Sequence, residues 1–503
     1  MVNTKLAYTS LEKQWIGDVI KEDEITRYLS AGKDFIDDEK IWKEIEGNKH
    51  PEPRKIRDII QKSLSVETLD PDETAALLNV DDEELWKEIF EAAGEVKRKV
   101  YDNRIVTFAP LYCSNLCVNN CLYCAFRREN RIEKRRRLTL DEVRSEARVL
   151  AGEIGHKRLI AVYGEHPLSD VHYIADTLRA MYDVTVKTRN GYGQIRRVNI
   201  NAAPMSIDDL EILRDVGIGT YQVFQETYHH ETYSRIHPEG TLKGDYGWRL
   251  YAPHRAIEAG VDDVAIGALF GLYDWRFEVM GLLYHARDLE RYFNGLGPHT
   301  ISFPRLEPAA GTPFTHETKY RVSDEDFKKL VAVLRLSIPY AGMIITARER
   351  AQIRREVIPL GCTQTDASTR IGIGAYSDRY DEQEADRQQF ILGDTRNLDE
   401  VIRELSEDGY ITSFCTAGYR CGRTGEHIMQ LLKCGREGQF CKLNAVLTFR
   451  EWLDDFASDE TRESGERIIR QELEEIREQL PSAYPKLLKS YERIKNGERD
   501  LYF

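Results

Sequence analysis

The feature that most limits what this chain can be is the run Cys117-Val-Asn-Asn-Cys121-Leu-Tyr-Cys124. It sets three thiols, spaced x3 and x2, on one short loop. Four thiolates close a 4Fe–4S cubane. Three leave one iron open, and an open metal position is where a small molecule binds and reacts. A zinc knuckle is the competing use, but it needs a second C-x2-C or a His pair close by. Here Ala125-Phe126 and a basic run follow instead. The spacing therefore favours an iron–sulfur loop with one vacant coordination place over zinc or plain buried thiols.

Such a loop needs a scaffold, and the chain supplies a repeating one. Eight β-rich runs alternate with amphipathic helices: Ile105 to Leu111, Arg158 to Tyr163, Arg197 to Asn201, Thr220 to Gln225, Asp263 to Phe270, Thr300 to Arg305, Met343 to Arg348 and Thr363 to Ala367. Alternating strands and helices predict a parallel α/β architecture. Eight units predict a TIM-type (β/α)8 barrel, with partial barrels as the alternative. Thr139 and Glu142 form a capping box, with Leu138 and Val143 as its staple, and mark the start of the helix after the cysteine loop. The barrel is expected over residues 101–370. A helical N-terminal extension precedes it over 1–100, with Asp70-Pro71-Asp72-Glu73 opening one helix. A C-terminal domain with a second cysteine group and a helical tail is expected over 371–503, beginning in a glycine-containing, then acidic, stretch. Barrel chemistry sits at the strands' C-terminal ends. The cysteine loop, Gly164-Glu165, Glu226 and Arg348 all fall there.

With 503 residues, one barrel plus two extensions is the natural division. The net charge of −14 excludes general nucleic-acid binding, which needs a basic footprint. The one basic stretch, Arg127 to Arg137, reads as a solvated loop. No apolar run reaches 18 residues, so no membrane span is expected, and the N-terminus lacks a secretory leader. Grouped cysteines in such a chain favour metal over disulfides. A cytoplasmic location is expected.

The C-x3-C-x2-C loop resembles the radical S-adenosylmethionine (SAM) superfamily. That resemblance implies a 4Fe–4S cluster held by Cys117, Cys121 and Cys124, with SAM on its open iron as source of a 5′-deoxyadenosyl radical. Gly164-Glu165 stands where that superfamily has a glycine-plus-acid motif: glycine allows close backbone approach, and the carboxylate can accept from the ammonium of SAM. Standing alone, the dipeptide could equally be a solvated loop acid. Glu226, at the end of an unusually polar strand terminus, and Arg249 look like SAM-pocket groups; an ordinary strand end with an ion pair is the alternative. Tyr123, just before the last cysteine, is counted with them.

Longer runs narrow the resemblance: Phe108 to Asn115, Cys117 to Arg128, Gly217 to His229, Leu269 to Trp275, Gly297-Pro-His-Thr-Ile-Ser302 and Phe414 to Glu426. From about residue 30 onward the chain is similar to the tyrosine lyases of [FeFe]-hydrogenase maturation, and in part to the thiamine-pathway tyrosine lyase. The resemblance implies a radical SAM carbon–carbon lyase that splits L-tyrosine into p-cresol and dehydroglycine. A second iron–sulfur cluster then yields CO and cyanide on an iron synthon. It also implies Arg348 and Thr346 at the tyrosine carboxylate, His285 at an additional iron, a reductant such as ferredoxin or flavodoxin, and other hydrogenase maturases as partners. On residues alone, His285 reads as a helix-face histidine in a barrel wall.

The chain departs from that family at the second cluster. The family pattern is C-x2-C-x22-C; Cys415 and Cys441 fit its ends, but Gly418 occupies the middle. Glycine has no ligating side chain. Three outcomes stay open: Cys421 swings in to complete a three-thiolate site, the favoured expectation; Cys434 adds a fourth ligand and closes the cluster; or no second cluster forms. If it does not function, the chain is a tyrosine lyase that stops at dehydroglycine (2-iminoacetate).

Overall fold

The structure is a computed structural model describing residues 8–378, 388–434 and 437–503. The acidic stretch expected after Tyr376 lies largely outside these residues.

Eight parallel strands close into a barrel: β1 Arg104–Ser114, β2 Arg158–Tyr163, β3 Arg197–Asn201, β4 Tyr221–Gln222, β5 Val264–Gly267, β6 Thr300–Ser302, β7 Gly342–Ile345 and β8 Gln364–Asp366. Each pairs with the next, and β8 closes on β1. The eight strands expected from the sequence are thus present in a TIM-type fold, though mostly shorter. β4 has two paired residues, and Glu226 lies beyond it in a lone bridge to Ala268. Arg348 lies three residues past β7.

Two strand features were not anticipated. A ninth strand, β9 Ile411–Ser413, pairs parallel with the start of β1. Val106 pairs with Gln364 on one edge and Ser413 on the other, so β1 extends below the barrel and carries the C-terminal region on its protruding end. A small antiparallel hairpin, Thr185–Lys187 with Tyr192–Gln194, stands apart from the barrel.

Strand alternation sets the interior. Phe108, Pro110 and Tyr112 of β1 face the central cavity, while Leu111 and Cys113 join the main core shared with the helices. Phe108, Ile160 and Ile344 make an apolar layer inside the barrel. The Thr139–Glu142 capping box forms as expected: the Thr139 hydroxyl accepts from Glu142 N at 3.3 Å and the Glu142 carboxylate accepts from Thr139 N at 2.7 Å. Asp70 and Glu73 form another.

The residues before β1 are mostly helical, ending in the helix Glu83–Tyr101. They do more than cover one face. Tyr8 donates to the Val118 carbonyl in the cysteine loop at 3.1 Å, and Glu12 pairs with Arg128 at 2.7 Å. Among the described residues no helix is long and apolar enough to cross a membrane.

Candidate active site and second cysteine cavity

At the C-terminal mouth of the barrel a cavity of about 230 Å³ is lined by Cys117, Cys121 and Cys124 together with Tyr123, Gly164, Glu165, Glu226, Arg249, Thr346 and Arg348. Ten residues singled out from the sequence thus converge on one space, nine from beyond the ends of β1, β2, β4 and β7 and Arg249 from the helix Tyr246–Leu250.

The cysteine loop is held from several sides. Val118 N donates to the Glu165 carbonyl at 2.8 Å and Gly164 N to the Ser114 carbonyl at 2.8 Å. Gly164 lies so close that a Cβ there would stand 2.2 Å from the Leu116 carbonyl oxygen. Its lack of a side chain therefore serves loop packing, a use that the expectation of room for a ligand overlooked. Beyond the loop, Arg135 donates to the carbonyls of Asn115 at 2.9 Å, Phe126 at 2.8 Å and Asn130 at 3.2 Å. Arg128 holds Glu12, and Arg136 holds Glu142 and Asp378. The basic run expected to be a solvated loop is instead a set of clamps.

The thiols form no disulfide, and only a cation would take their protons away. Burial pushes Cys117 up to about 11 and Cys121 up to about 12, so neither is a thiolate at neutral pH without a cation, and a coordinated metal removes the proton outright. No group of three His, Cys, Asp or Glu among the described residues converges as for a single ion. A cubane, whose irons stand between its sulfurs, does not require that.

The two carboxylates differ. Glu226 is partly buried, yet its pKa is lowered: desolvation is outweighed by Lys243, whose Nζ lies 2.8 Å away, and by Arg249 at 3.4 Å. Arg249 is itself anchored on the Phe224 carbonyl at 2.6 Å. Glu226 adopts φ +72°, a backbone state rare outside glycine and held only by its surroundings. Glu165 has its pKa raised by burial, with only partial relief from more distant Arg249, an Asn119 amide hydrogen bond and Lys243. Among the described residues it has no ion pair. A buried carboxylate facing a cavity without its own cation is suited to an incoming ammonium.

Opposite stand the groups for an acid-bearing substrate. The Thr346 hydroxyl is buried without a partner in the cavity wall. Arg348 forms no ion pair among the described residues, and burial lowers its pKa. Its guanidinium lies 3.3 Å from the centroid of the Phe390 ring. Lining residues that sequence reasoning passed over include Asn119, Gln222, Lys243, Gln389 and Phe390. Asn119, lying between two of the cysteines, was the one within reach of a motif.

A second cavity, about 40 Å³, lies at the opposite end of the barrel. It is lined by the strand starts, Arg104, Arg158 and Thr363, with Asp263 and His299 just before β5 and β6, and by Cys415, Gly418 and Cys441. Cys415 has φ +47°, and its carbonyl accepts from Arg158 at 3.2 Å. The expected third ligand is not brought here. Cys421, at the C-cap of the short helix Ala417–Arg420, directs its Sγ to the Phe503 carbonyl at 3.1 Å. Cys434 is exposed. Gly418 keeps the middle place, and a Cβ on it would meet only the Arg423 carbonyl at 3.5 Å, an ordinary contact.

His285 is not brought here either. It sits on the helix Trp275–Tyr292, buried, with Nδ1 2.9 Å from the Tyr228 hydroxyl and its ring against Phe35 and His254. The histidine at the second cavity is His299, from the Gly297-Pro-His299 turn. That turn helped to carry the resemblance, but its histidine had been given no role.

A parallel barrel with three cysteines on the loop after β1, a buried carboxylate after β2 and a cation-held carboxylate after β4 defines a radical SAM enzyme. The radical SAM superfamily pattern matches residues 111–279, and the biotin and thiamin synthesis associated domain matches residues 302–411. The crystal structure of HydG, a maturase of the [FeFe]-hydrogenase, is 45% identical, covers 93% of this chain and 100% of its own, and superposes with a TM-score of 0.88. HydG from Carboxydothermus hydrogenoformans is 37% identical over 95% of this chain and 99% of its own, with a TM-score of 0.74. The 2-iminoacetate synthase of Escherichia coli K12 is 30% identical over 354 residues, 70% of this chain and 88% of the relative. The chain belongs to the HydG family of radical SAM lyases, whose cofactors are a 4Fe–4S cluster with SAM and, typically, a second cluster.

Proposed function

We propose that this chain is a tyrosine lyase that releases p-cresol and dehydroglycine. The observation carrying this reading is the pairing, in one cavity, of a three-cysteine loop with Arg348 and the Thr346 hydroxyl, neither of which has an ion-pair or hydrogen-bond partner among the described residues. When bound, the cluster and SAM supply a 5′-deoxyadenosyl radical. The chain's own residues do the rest. Cys117, Cys121 and Cys124 hold the cluster. Glu165 receives the ammonium of SAM, while Glu226, fixed by Lys243 and Arg249, shapes the wall beside Tyr123. Arg348 grips the tyrosine carboxylate through its planar fork, with the Thr346 hydroxyl as a further donor. The carboxylate meets the N–H edge of the guanidinium, while its face stays stacked on the Phe390 ring.

Gly418 carries the second half of the proposal. With a hydrogen atom at the middle position and Cys421 turned to Phe503, only two thiols line the lower cavity, and the reaction stops at dehydroglycine. A second reading, in which CO and cyanide form on iron for hydrogenase maturation, is favoured by one observation: Cys415, Cys441 and His299 share that cavity. We place the enzyme in a reduced cytoplasm, served by a one-electron donor such as ferredoxin or flavodoxin; partner maturases belong to the second reading.

The test is anaerobic incubation of reconstituted protein with SAM, dithionite and L-tyrosine. The proposal expects p-cresol, 5′-deoxyadenosine and glyoxylate from hydrolysed dehydroglycine. 5′-Deoxyadenosine without p-cresol would reject tyrosine as substrate.

A further inference from the structure

The segment from Gln388 to Leu392 is a fastened strap whose Gln389, Phe390 and Leu392 line the upper cavity. Ile391 N donates to the Pro308 carbonyl at 3.1 Å, and Gly393 N to the Ala347 carbonyl at 2.8 Å. A Cβ on Gly393 would stand 2.4 Å from the Arg348 carbonyl oxygen, so the strap lies directly on the backbone that presents Arg348. Asp394, next in sequence, is locked by Arg354 and by Arg396 at 2.8 Å. From this strap one side chain reaches the cysteine loop. Gln389 Nε2 lies 3.6 Å from Cys124 Sγ, and the Tyr112 hydroxyl lies 3.0 Å from Gln389 Oε1.

We propose that Gln389 is a positioning residue for the cluster, its amide N–H donating to the Cys124 sulfur and thereby raising the cluster's reduction potential. The proposal rests on Cys124 being a cluster ligand. The amide orientation follows from the donor inventory. A ligating thiolate only accepts, so the NH2 must face it and the carbonyl must face Tyr112. Burial keeps the Tyr112 phenol protonated, so it donates to that carbonyl and fixes the amide plane. Reduction adds one electron, supplied in the test by dithionite, and makes no bond to Gln389. The added negative charge resides on the cluster and its sulfurs, so an N–H aimed at a sulfur stabilises the reduced form more than the oxidised form. Among the described residues no other side-chain N–H reaches Cys124 Sγ in a recorded hydrogen bond. The strap thus ties the cluster to the place where the substrate carboxylate is to bind: Gln389 on the thiolate, Phe390 on Arg348.

The test is potentiometric titration of the reconstituted protein followed by EPR of the reduced cluster, for wild type, Gln389→Met and Tyr112→Phe. Methionine keeps the length and loses the donor. Gln389→Met should show about a tenfold lower ratio of reduced to oxidised cluster at a fixed potential, equivalent to 59 mV for a one-electron couple. It should also lose an exchangeable-proton coupling in ENDOR. Tyr112→Phe keeps the donor but frees its plane, and should shift the potential the same way by less. Iron content separates the two levels of the argument. Wild-type iron in Gln389→Met with unchanged potential and proton coupling overturns the role of Gln389 and leaves the lyase reading standing. Wild-type protein that assembles no cluster overturns both.

Discussion

The two ends of this barrel are built from the same strands and differ in completeness. At the C-terminal end, three thiols, the carboxylates of Glu165, Glu226 and Asp366, the Lys243 and Arg249 cations that hold Glu226, and Arg348, without an ion pair among the described residues, surround about 230 Å³. At the N-terminal end, two thiols, a histidine and a glycine surround about 40 Å³. The apolar layer of Phe108, Ile160 and Ile344 lies in the interior between them. Upper-site positions are over-determined: Gly164 is pressed against Leu116, Arg135 spans several carbonyls, and Glu226 is held in a strained conformation by two cations. The middle position of the lower site is not. A Cβ on Gly418 would make only one ordinary contact, and the thiol of Cys421 is engaged with Phe503. A site can therefore lose a ligand without disturbing the fold when that position bears no packing, whereas the upper site has no comparable slack.

The largest expected effect tests this asymmetry directly. Replacing Cys117, Cys121 or Cys124 by Ala should abolish 5′-deoxyadenosine formation, because an open iron on this loop requires all three thiolates. Cys415→Ala should leave p-cresol formation unchanged. Loss of p-cresol in Cys415→Ala would mean that the two ends do not act independently.

Gly164→Ala should come next. Its Cβ would stand 2.2 Å from a backbone oxygen, which cannot turn aside as a flexible side chain can. The cysteine loop should be displaced and most of its iron lost, read by iron content and cluster absorbance. A variant with full iron would show that Gly164 does not set the loop.

Arg348→Lys should weaken tyrosine binding by about 1.5–3 kcal/mol, roughly 10- to 150-fold, the range for hydrogen bonds to charged groups. Lysine keeps the charge and loses the fork. SAM cleavage uncoupled from tyrosine should persist. Unchanged tyrosine affinity would move the carboxylate site elsewhere.

The smallest effect concerns how the N-terminal residues grip the upper mouth. His230 sits between Asp38 at 2.9 Å and Asp34 at 3.2 Å. Burial alone would lower its pKa, but these hydrogen bonds raise it to about 9. Because the folded value lies above the unfolded one, the contribution is complete below about pH 6.5 and is lost as pH rises through about 9. His230→Asn should cost ~0.2–1 kcal/mol of stability at pH 6.5, the range of part-exposed ion pairs, seen as a lower thermal midpoint. The difference should vanish at pH 10. An equal loss at both pH values would assign the residue a packing role.

How much of this was legible follows from the range of the interactions. The cysteine loop was readable because its ligands lie within one short segment. The eight strands were readable because each starts or stops near an alternation of apolar residues and a cap. β9 was not: its three residues follow a helix and pair only with a distant part of β1. Gly164 was found, but its reason was not, because its contact with Leu116 is set by how two strand ends meet. Which histidine lines the lower cavity was not legible, because a helix-borne residue such as His285 can face several ways, whereas His299 is fixed at the lower mouth by the start of β6. Cys421 was expected to turn inward on sequence proximity to Gly418; its direction is instead set by the C-cap of a short helix and by Phe503.

The most direct measurement is the ratio of CO to p-cresol from one anaerobic reaction, run with wild type and Gly418→Cys. A Cβ at 418 meets only an ordinary contact, so the Gly418→Cys variant should gain about four irons, one cubane's worth, and begin to release CO at an unchanged p-cresol yield. Wild type should release p-cresol with no CO above background. CO from wild type in amounts approaching p-cresol would contradict the account: the lower site would then be complete without a thiol at position 418.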